Sequence, residues 1–139
     1  MSSCEYARRQ SPRRASLPSQ RDDCLFCDIV RRGTYVAKTK GFVAINDINP
    51  QAEVHILIIP EDHVDTFRDI SEFTAKQDKR MLDFIADTAR EAGLADYRVI
   101  VNVGPSAGQT VFHLHWHILG GGAVHEQLPA SMATAVTEP

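Results

Sequence analysis

The stretch that decides the fold is Gln109-Thr110-Val111-Phe112-His113-Leu114-His115-Trp116-His117-Ile118-Leu119-Gly120-Gly121. Polar and apolar residues alternate along it, and successive side chains of a β-strand point to opposite faces of a sheet. The alternation predicts a strand over Val111–Leu119 with His113, His115 and His117 on one face. The apolar residues between them would face a long helix: Phe112, Leu114, Trp116 and Ile118.

The segments that precede this strand predict its neighbours. Val54–Ile59 is an apolar, β-branched run ended by Pro60, as in a buried central strand. Three further strands are predicted over Tyr35–Lys38, Phe42–Asn46 and Tyr97–Val103.

Two segments predict helices. Asp23–Gly33 is a short helix that Asp22 or Asp23 would cap. Apolar residues recur at helical spacing over Ser71–Ala92, with Asp69 and Glu72 as a possible capping pair and Gly93 as the end. The predicted fold is an α+β domain: an antiparallel sheet of about five strands, with two helices on one face.

Composition sets the class of protein. The chain has 139 residues, 43% of them apolar and 24% charged, which is ordinary for a soluble globular domain. No apolar run approaches the roughly 20 residues that a membrane span needs, so no membrane partner is expected. We predict a disordered basic tail over residues 1–22, a domain over 23–122 and a C-terminal tail over 123–139.

Charge is divided unevenly between these parts. Residues 1–21 contain five Arg and one Glu, a net +4, whereas residues 22–139 contain ten basic and seventeen acidic groups, a net −7. An acidic body is a poor surface for nucleic acid, and we expect no nucleic-acid partner. The tail has no apolar signal region, so we expect a cytoplasmic protein whose cysteines are not paired as disulfides.

Three histidines at every second position point to chemistry. A purely structural face would not place imidazoles side by side, since they repel when protonated. Two interpretations follow from the residues: a metal site formed by the three rings, or a nucleophile with acid–base partners.

His113-Leu114-His115-Trp116-His117-Ile118 resembles the signature of the histidine triad (HIT) superfamily of nucleotide hydrolases and transferases. The segments beginning at Cys24, Asn46, His55, Val101 and Gly108 also match in order and spacing, so the resemblance covers residues 24–122. It is strongest to the Hint-like branch of the zinc-binding C-x-x-C type. The resemblance implies a homodimer in which edge strands join into a continuous ten-stranded sheet.

The resemblance also implies roles for individual residues. His115 would attack an α-phosphorus and His117 would contact the phosphate or leaving group. A purine nucleoside monophosphate-type ligand would be bound by Asp47, Ile48, Asn102, Gln109, Thr110, Phe26, Ile29, Ile45 and Leu25. Structural Zn²⁺ would be held by Cys24, Cys27, His55 and His113, while His63 would have a structural role; no organic cofactor is implied.

The predicted function is therefore a purine nucleotide-binding hydrolase, a nucleoside 5′-phosphoramidate or nucleotidyl hydrolase that forms a covalent nucleotidyl-histidine. A dinucleoside polyphosphate hydrolase or nucleotidyltransferase would use the same nucleophile. Two other classes remain open: a metalloenzyme whose metal is bound by the three triad histidines, and a non-enzymatic nucleotide- or zinc-binding adaptor.

Overall fold

Five strands form one antiparallel sheet in the computed structural model, which describes residues 20–121. In chain order the strands are β1 (Ala37–Thr39), β2 (Phe42–Asn46), β3 (Val54–Pro60), β4 (Tyr97–Ile100) and β5 (Trp116–Gly120). In space they follow the order β1-β2-β3-β5-β4. The predicted α+β class, with a sheet of five antiparallel strands, is confirmed.

Two α-helices, α1 (Leu25–Arg32) and α2 (Ala75–Glu91), pack on this sheet. Two 3₁₀ turns, Phe67–Glu72 and Pro105–Ala107, lie in the connections. The prediction that both helices share one face is wrong. The long helix α2 packs on the face that carries Ile56 and Ile58, whereas α1 packs on the alternate residues Leu57 and Ile59.

This division explains why β3 is apolar along its length. Side chains alternate between faces along a strand, so covering both faces buries every residue from His55 to Pro60. The face under α1 also carries His55 and His117, since His117 lies opposite Leu57 in the β3–β5 register. The predicted site residues His55 and His117 therefore lie on the side of the short helix.

The triad strand is shorter than its alternation predicted. β5 begins at Trp116, opposite Ile58, so continuing the register would place Leu114 opposite Pro60. Proline has no N–H to give to a ladder, and Leu114 instead donates its backbone N–H to the Val64 carbonyl at 2.6 Å. His113 and His115 therefore lie just before the strand, in a segment tied to the chain beyond β3.

The helix ends also differ from prediction. The N-cap of α1 is Cys24, which makes no side-chain cap, although Gly33 ends the helix at φ 73° as expected. The cap of α2 is a reciprocal pair between Thr74 and Gln77, not Asp69 and Glu72. The extended, buried Phe73 separates the 3₁₀ turn from α2, so Ser71–Ala92 is not one helix.

Most of the two predicted tails lies outside the described residues, as do Cys4 and His125. The end of the N-terminal tail, residues 20–22, is described and packs against the domain. Gln20 is buried and donates to the Glu61 carbonyl, and the Arg21 N–H donates to the Cys27 sulfur. Within residues 20–121, no helix has the length and apolar character that a membrane span requires.

Candidate active site and metal centre

One turn of α1 places two cysteines beside the start of the triad. Cys24 and Cys27 are buried, and each sulfur lies 3.4 Å from Nδ1 of His113. Nδ1 of His63 lies 3.3 Å from the Cys27 sulfur. All four ligand atoms fall within 4.8 Å of one another, so they can converge on one ion.

The outer ring nitrogens of both histidines are held by oxygen acceptors. Nε2 of His113 donates to the Pro60 carbonyl at 2.7 Å, and Nε2 of His63 donates to Oδ1 of Asp65 at 2.6 Å. Each inner Nδ1 faces the thiols and would offer its lone pair to a metal. Although burial lowers the pKa of His63, hydrogen bonds with the two cysteines and Asp65 raise it to about 10, so a metal would have to displace the proton on its Nδ1. Two thiolates, two imidazoles and acceptors behind the rings are the donor set that structural zinc favours.

Protons compete with a metal at this cluster. The pKa of Cys27 is raised above its ordinary value, first by the hydrogen bond with the Cys24 thiol and then by burial, although contacts with the two histidines lower it. A metal ion would displace these protons, so its affinity would fall in acid.

His55, predicted as the fourth ligand, does not lie in this cluster; His63 takes that position. The β3–β5 register pairs His55 with Leu119, at the far end of β5 from His113. Beyond the ladder, the Leu114 N–H donates to the Val64 carbonyl, and this contact brings the preceding residues His113 and His63 together. A contact outside the sheet could not be read from the alternation of the strands.

His115 is oriented as a nucleophile. Its Nδ1 donates to the carbonyl oxygen of His113 at 2.8 Å, so the neutral ring carries its lone pair on Nε2. The ring is buried, and the edge-to-face contact with Phe26 has a centroid distance of 4.9 Å. Burial lowers the pKa of His115 below its ordinary value, outweighing the carbonyl hydrogen bond, so the ring stays neutral at neutral pH.

On His117 the Nε2 atom carries a proton, whereas on His115 it carries a lone pair. A chain of hydrogen bonds that ends at Nδ1 of His117 fixes this difference. The backbone N–H of Gln51 donates to Nδ1 of His55 at 3.0 Å, which leaves the proton of the neutral ring on Nε2. That Nε2–H donates to Nδ1 of His117 at 2.9 Å, so His117 carries its own proton on Nε2. This Nε2 is buried without a partner among the described residues and is free to donate to a ligand.

Burial and neighbouring charges keep His117 neutral. Desolvation, followed by the proximity of His115 and His55, lowers the pKa of His117 to about 4. Desolvation also lowers the pKa of His55, despite the nearby Asp47 carboxylate. Neighbouring rings therefore present a lone pair on His115 and an N–H on His117 at neutral pH.

The interpretation of the triad as three ligands of one metal is not supported. Within the described residues, the three rings do not form a common group of ligand atoms. Asp47, His55 and His117 do form one, with Oδ2 of Asp47 3.4 Å from Nε2 of His55. A metal on that nitrogen would move the ring proton to Nδ1, where the Gln51 N–H already donates. The hydrogen bonds suit proton placement better than metal binding.

The residues predicted to contact ribose and base differ widely in how exposed they are. Asp47 lies beside His55, and its Oδ1 accepts the Asn49 N–H. Phe26 is buried against the rings of His113 and His115. The other apolar candidates form a partly open edge: Ile29 and Ile45 are partly buried, Leu25 is half-exposed and Ile48 is 91% exposed.

The predicted polar contacts from the loop before the triad are only partly available. Oε1 of Gln109 accepts the Gly104 N–H, and its Nε2 donates to the carbonyls of Asp65 and Val111. This buried amide therefore holds the loop and is not free for substrate, contrary to expectation. Asn102 lies against Gly108 and Thr110 is exposed, so both remain candidates for ligand contact.

Comparison with known families identifies the domain. The family model of the HIT domain matches residues 30–124. This chain belongs to the HIT family. The purine nucleoside phosphoramidase of Escherichia coli is 37% identical over 105 residues, which cover 72% of this chain and 88% of that protein. An uncharacterized HIT-like protein of Rickettsia prowazekii is 43% identical over 89 residues, 62% of this chain and 74% of that protein.

Solved structures agree with the HIT fold. A histidine triad protein from Clostridium difficile superimposes with a TM-score of 0.68 at 37% identity, covering 79% of this chain and 96% of that one. A zinc-bound histidine triad family protein from Mycobacterium smegmatis has a TM-score of 0.60 at 30% identity, covering 72% of this chain and 76% of that one.

Proposed function

We propose that this HIT domain is a purine nucleoside 5′-phosphoramidate or nucleotidyl hydrolase that forms a covalent nucleotidyl-histidine on His115. The observation that carries the proposal is the opposite polarity of two adjacent rings. Nε2 of His115 is a lone-pair nucleophile because its Nδ1 donates to the His113 carbonyl, and Nε2 of His117 is a donor because its Nδ1 accepts from His55. In-line attack on phosphorus needs both functions at one centre.

The bonds and protons balance with both rings starting neutral. Nε2 of His115 bonds to the α-phosphorus as the bond to the leaving nitrogen breaks. The leaving amine takes one proton from solvent, while Nε2–H of His117 donates a hydrogen bond to a phosphate oxygen. Water then attacks phosphorus as the bond to His115 breaks, the water releases one proton to solvent, and the nucleoside monophosphate and neutral His115 form.

The proposed substrate class rests on the site and on one relative. Asp47 provides a partly exposed carboxylate that can accept from ribose hydroxyls, next to the imidazole pair. Phe26 and Ile45 provide apolar surface for a flat base on the same side of the sheet. The E. coli relative is named a purine nucleoside phosphoramidase, which is consistent with this substrate class.

The test is the hydrolysis of adenosine 5′-phosphoramidate by wild type and His115→Gln. Wild type should release adenosine 5′-monophosphate, and the variant should lose at least about 10³-fold in kcat, since the nucleophile is gone. Quenching in alkaline denaturant, in which the P–N bond survives, followed by mass spectrometry should find a nucleotidyl adduct on the wild-type peptide that contains His115. Equal turnover by both proteins would refute the nucleophile.

The same assay separates the alternatives. A diadenosine polyphosphate cleaved faster than the phosphoramidate would favour the polyphosphate hydrolase, and transfer to an added acceptor would favour the transferase. Nucleotide binding without turnover or adduct, and unchanged by His115→Gln except in affinity, would favour the adaptor.

Two properties of the assembled protein belong to the same proposal. We propose that Cys24, Cys27, His63 and His113 hold a structural Zn²⁺, on the strength of their donor set and their oxygen-held outer nitrogens. When bound, the ion would cross-link the start of α1 to the two segments that contain His63 and His113, which the Leu114–Val64 hydrogen bond already joins. We also propose a homodimer joined at β4, an edge strand of the sheet.

A further inference from the structure

We propose that His113 is a positioning residue for the nucleophile, so that metal occupancy of the Cys24–Cys27–His63–His113 cluster sets the rate of nucleotidyl transfer to His115. The inference rests on the proposed function of His115. It goes beyond a structural role for the metal, because a purely structural ion would change the amount of folded protein without changing the rate of each folded molecule.

His113 connects the two sites through a single residue. Its ring Nδ1 faces both sulfurs at 3.4 Å, and its ring Nε2 is tied to the Pro60 carbonyl at 2.7 Å. Its own carbonyl oxygen accepts the Nδ1–H of His115 at 2.8 Å. The ring is fully buried, so the position of this carbonyl depends on how firmly the ring is held.

Phe26 provides a second connection. It lies between Cys24 and Cys27 on α1, so ligation of both cysteines would fix its position. Its ring packs edge-to-face on His115 and His113, at centroid distances of 4.9 and 6.0 Å. The cluster therefore borders the nucleophile from two directions: the carbonyl behind its Nδ1 and the aromatic wall beside its ring.

Metal binding should change the orientation of the His115 ring more than it changes the binding of nucleotide. The carbonyl holds the His115 tautomer with its lone pair on Nε2, and in-line attack depends on the placement of that nitrogen. Without a metal, the His113 ring is held by the Pro60 carbonyl and by hydrogen bonds with the two cysteine sulfurs, which restrain it less firmly than a metal–nitrogen bond would. Asp47 and Ile45 are not among the metal-ligating residues, whereas the base candidate Phe26 lies between two of them. Metal binding should therefore change the rate of transfer more than nucleotide affinity.

The test uses full-length Cys27→Asp, which retains an anionic ligand atom but should bind Zn²⁺ more weakly than the wild type. Single-turnover formation of the His115 adduct is measured across zinc-buffered solutions, and the folded fraction is measured in each by circular dichroism. The rate per folded molecule should rise at least tenfold as Zn²⁺ is bound, with the KM for adenosine 5′-phosphoramidate changing less than twofold. A rate per folded molecule that is independent of Zn²⁺ would overturn the proposal.

Ile85→Val is the matched control. Ile85 is a buried residue of α2, which packs on the opposite face of the sheet, so the substitution lowers stability without touching the cluster or the triad. Its rate per folded molecule should equal that of wild type. A decrease equal to that of zinc-free Cys27→Asp would show that general destabilisation, not the metal, slows transfer, and would also overturn the proposal.

A readout independent of turnover keeps the two proposals distinguishable. The His115 Nδ1–H held by a carbonyl should give a slowly exchanging imidazole proton signal in wild type, assigned by its absence from His115→Gln. Removing Zn²⁺ from the folded protein should shift or broaden this signal. If no adduct forms under any condition, the hydrolase proposal fails and this signal alone decides the coupling. A signal unchanged by zinc would refute it.

Discussion

At the scale of single residues, the Gln51 backbone N–H is the first group in the chain of hydrogen bonds that sets the protonation of His117. We predict that Gln51→Pro, which removes this N–H, will lower kcat for adenosine 5′-phosphoramidate by about tenfold or more, because His55 can then place its proton on Nδ1 and stop donating to His117. Steady-state kinetics measures the loss.

Gln51→Ala is the matched control, since it keeps the N–H and removes only an exposed amide that donates to the Asn49 carbonyl. It should retain kcat close to wild type. Equal losses in both variants would mean that the side chain or the loop matters, and that the backbone donor does not set the His117 proton.

The pKa values of His115 and His117 predict the acid limb of the pH profile of the proposed hydrolase. Burial lowers the pKa of His115, and burial with neighbouring charge lowers that of His117 to about 4. A lowered pKa keeps the free rings neutral as the pH falls, so kcat/KM should persist below pH 6.5, the ordinary histidine value, and decrease only at lower pH.

The profile is measured at constant ionic strength, with His115→Gln as the blank for uncatalysed hydrolysis of the phosphoramidate in acid. A half-maximal point at or above pH 6.5 would contradict the neutral, buried state of these rings in the free protein.

The sequence identified the residue types of the site better than their partners. The alternation correctly brought His115 and His117 together, because adjacent odd positions share a side. The fourth member of the cysteine cluster depended on a contact outside the sheet, which the alternation of the strands cannot show, and His63 was missed. Gln109 was predicted to contact substrate, and the residue type alone could not show that its amide is bonded to backbone groups of the loop and of Asp65.

At the scale of elements, the capping box of α2 gives a prediction confined to stability. Thr74→Ala removes the hydroxyl that accepts the Gln77 N–H and should lower the free energy of unfolding by about 1 kcal/mol. Since α2 lies on the face opposite the triad, kcat should not change. Urea unfolding of the purified variant measures the change.

Ser71→Ala serves as the control, because Ser71 is exposed at the end of the preceding 3₁₀ turn and is not the α2 cap. It should leave the midpoint near that of wild type. A loss in Ser71→Ala as large as in Thr74→Ala would assign the effect to the 3₁₀ turn and contradict the cap.

The elements themselves were largely predictable, and their ends were not. The apolar run of β3 and the helical spacing of Met81 and Ile85 identified both elements, since burial dominates their patterns. The late start of the triad strand, at Trp116, depended on Pro60 lying across from Leu114, which the alternation alone cannot reveal. The placement of α1 on the opposite face likewise depended on tertiary packing.

At the scale of the whole molecule, the edge strand β4 is the part of the sheet that we expect to bind a partner. Tyr97 and Val99 are exposed by 37% and 42%, and within residues 20–121 β4 pairs with β5 alone. An unpaired apolar edge of this kind favours addition of another strand, and a second copy would bury it by two-fold symmetry. We predict that wild type sediments as a dimer and that Val99→Glu sediments as a monomer.

Val36→Glu tests whether the loss of the dimer in Val99→Glu comes from the position of the new carboxylate on β4 and not from the added charge itself. Val36 is 52% exposed beside β1, the opposite edge of the same sheet, so it receives the same substitution at a similar exposure. It should remain dimeric in sedimentation velocity at concentrations where Val99→Glu is monomeric. Dissociation by Val36→Glu alone would place the interface at β1. A wild type that is monomeric throughout would refute the homodimer and leave the β4 edge to another partner.

Because the triad and the cysteine cluster are built within one chain, a folded Val99→Glu monomer should still form the His115 adduct.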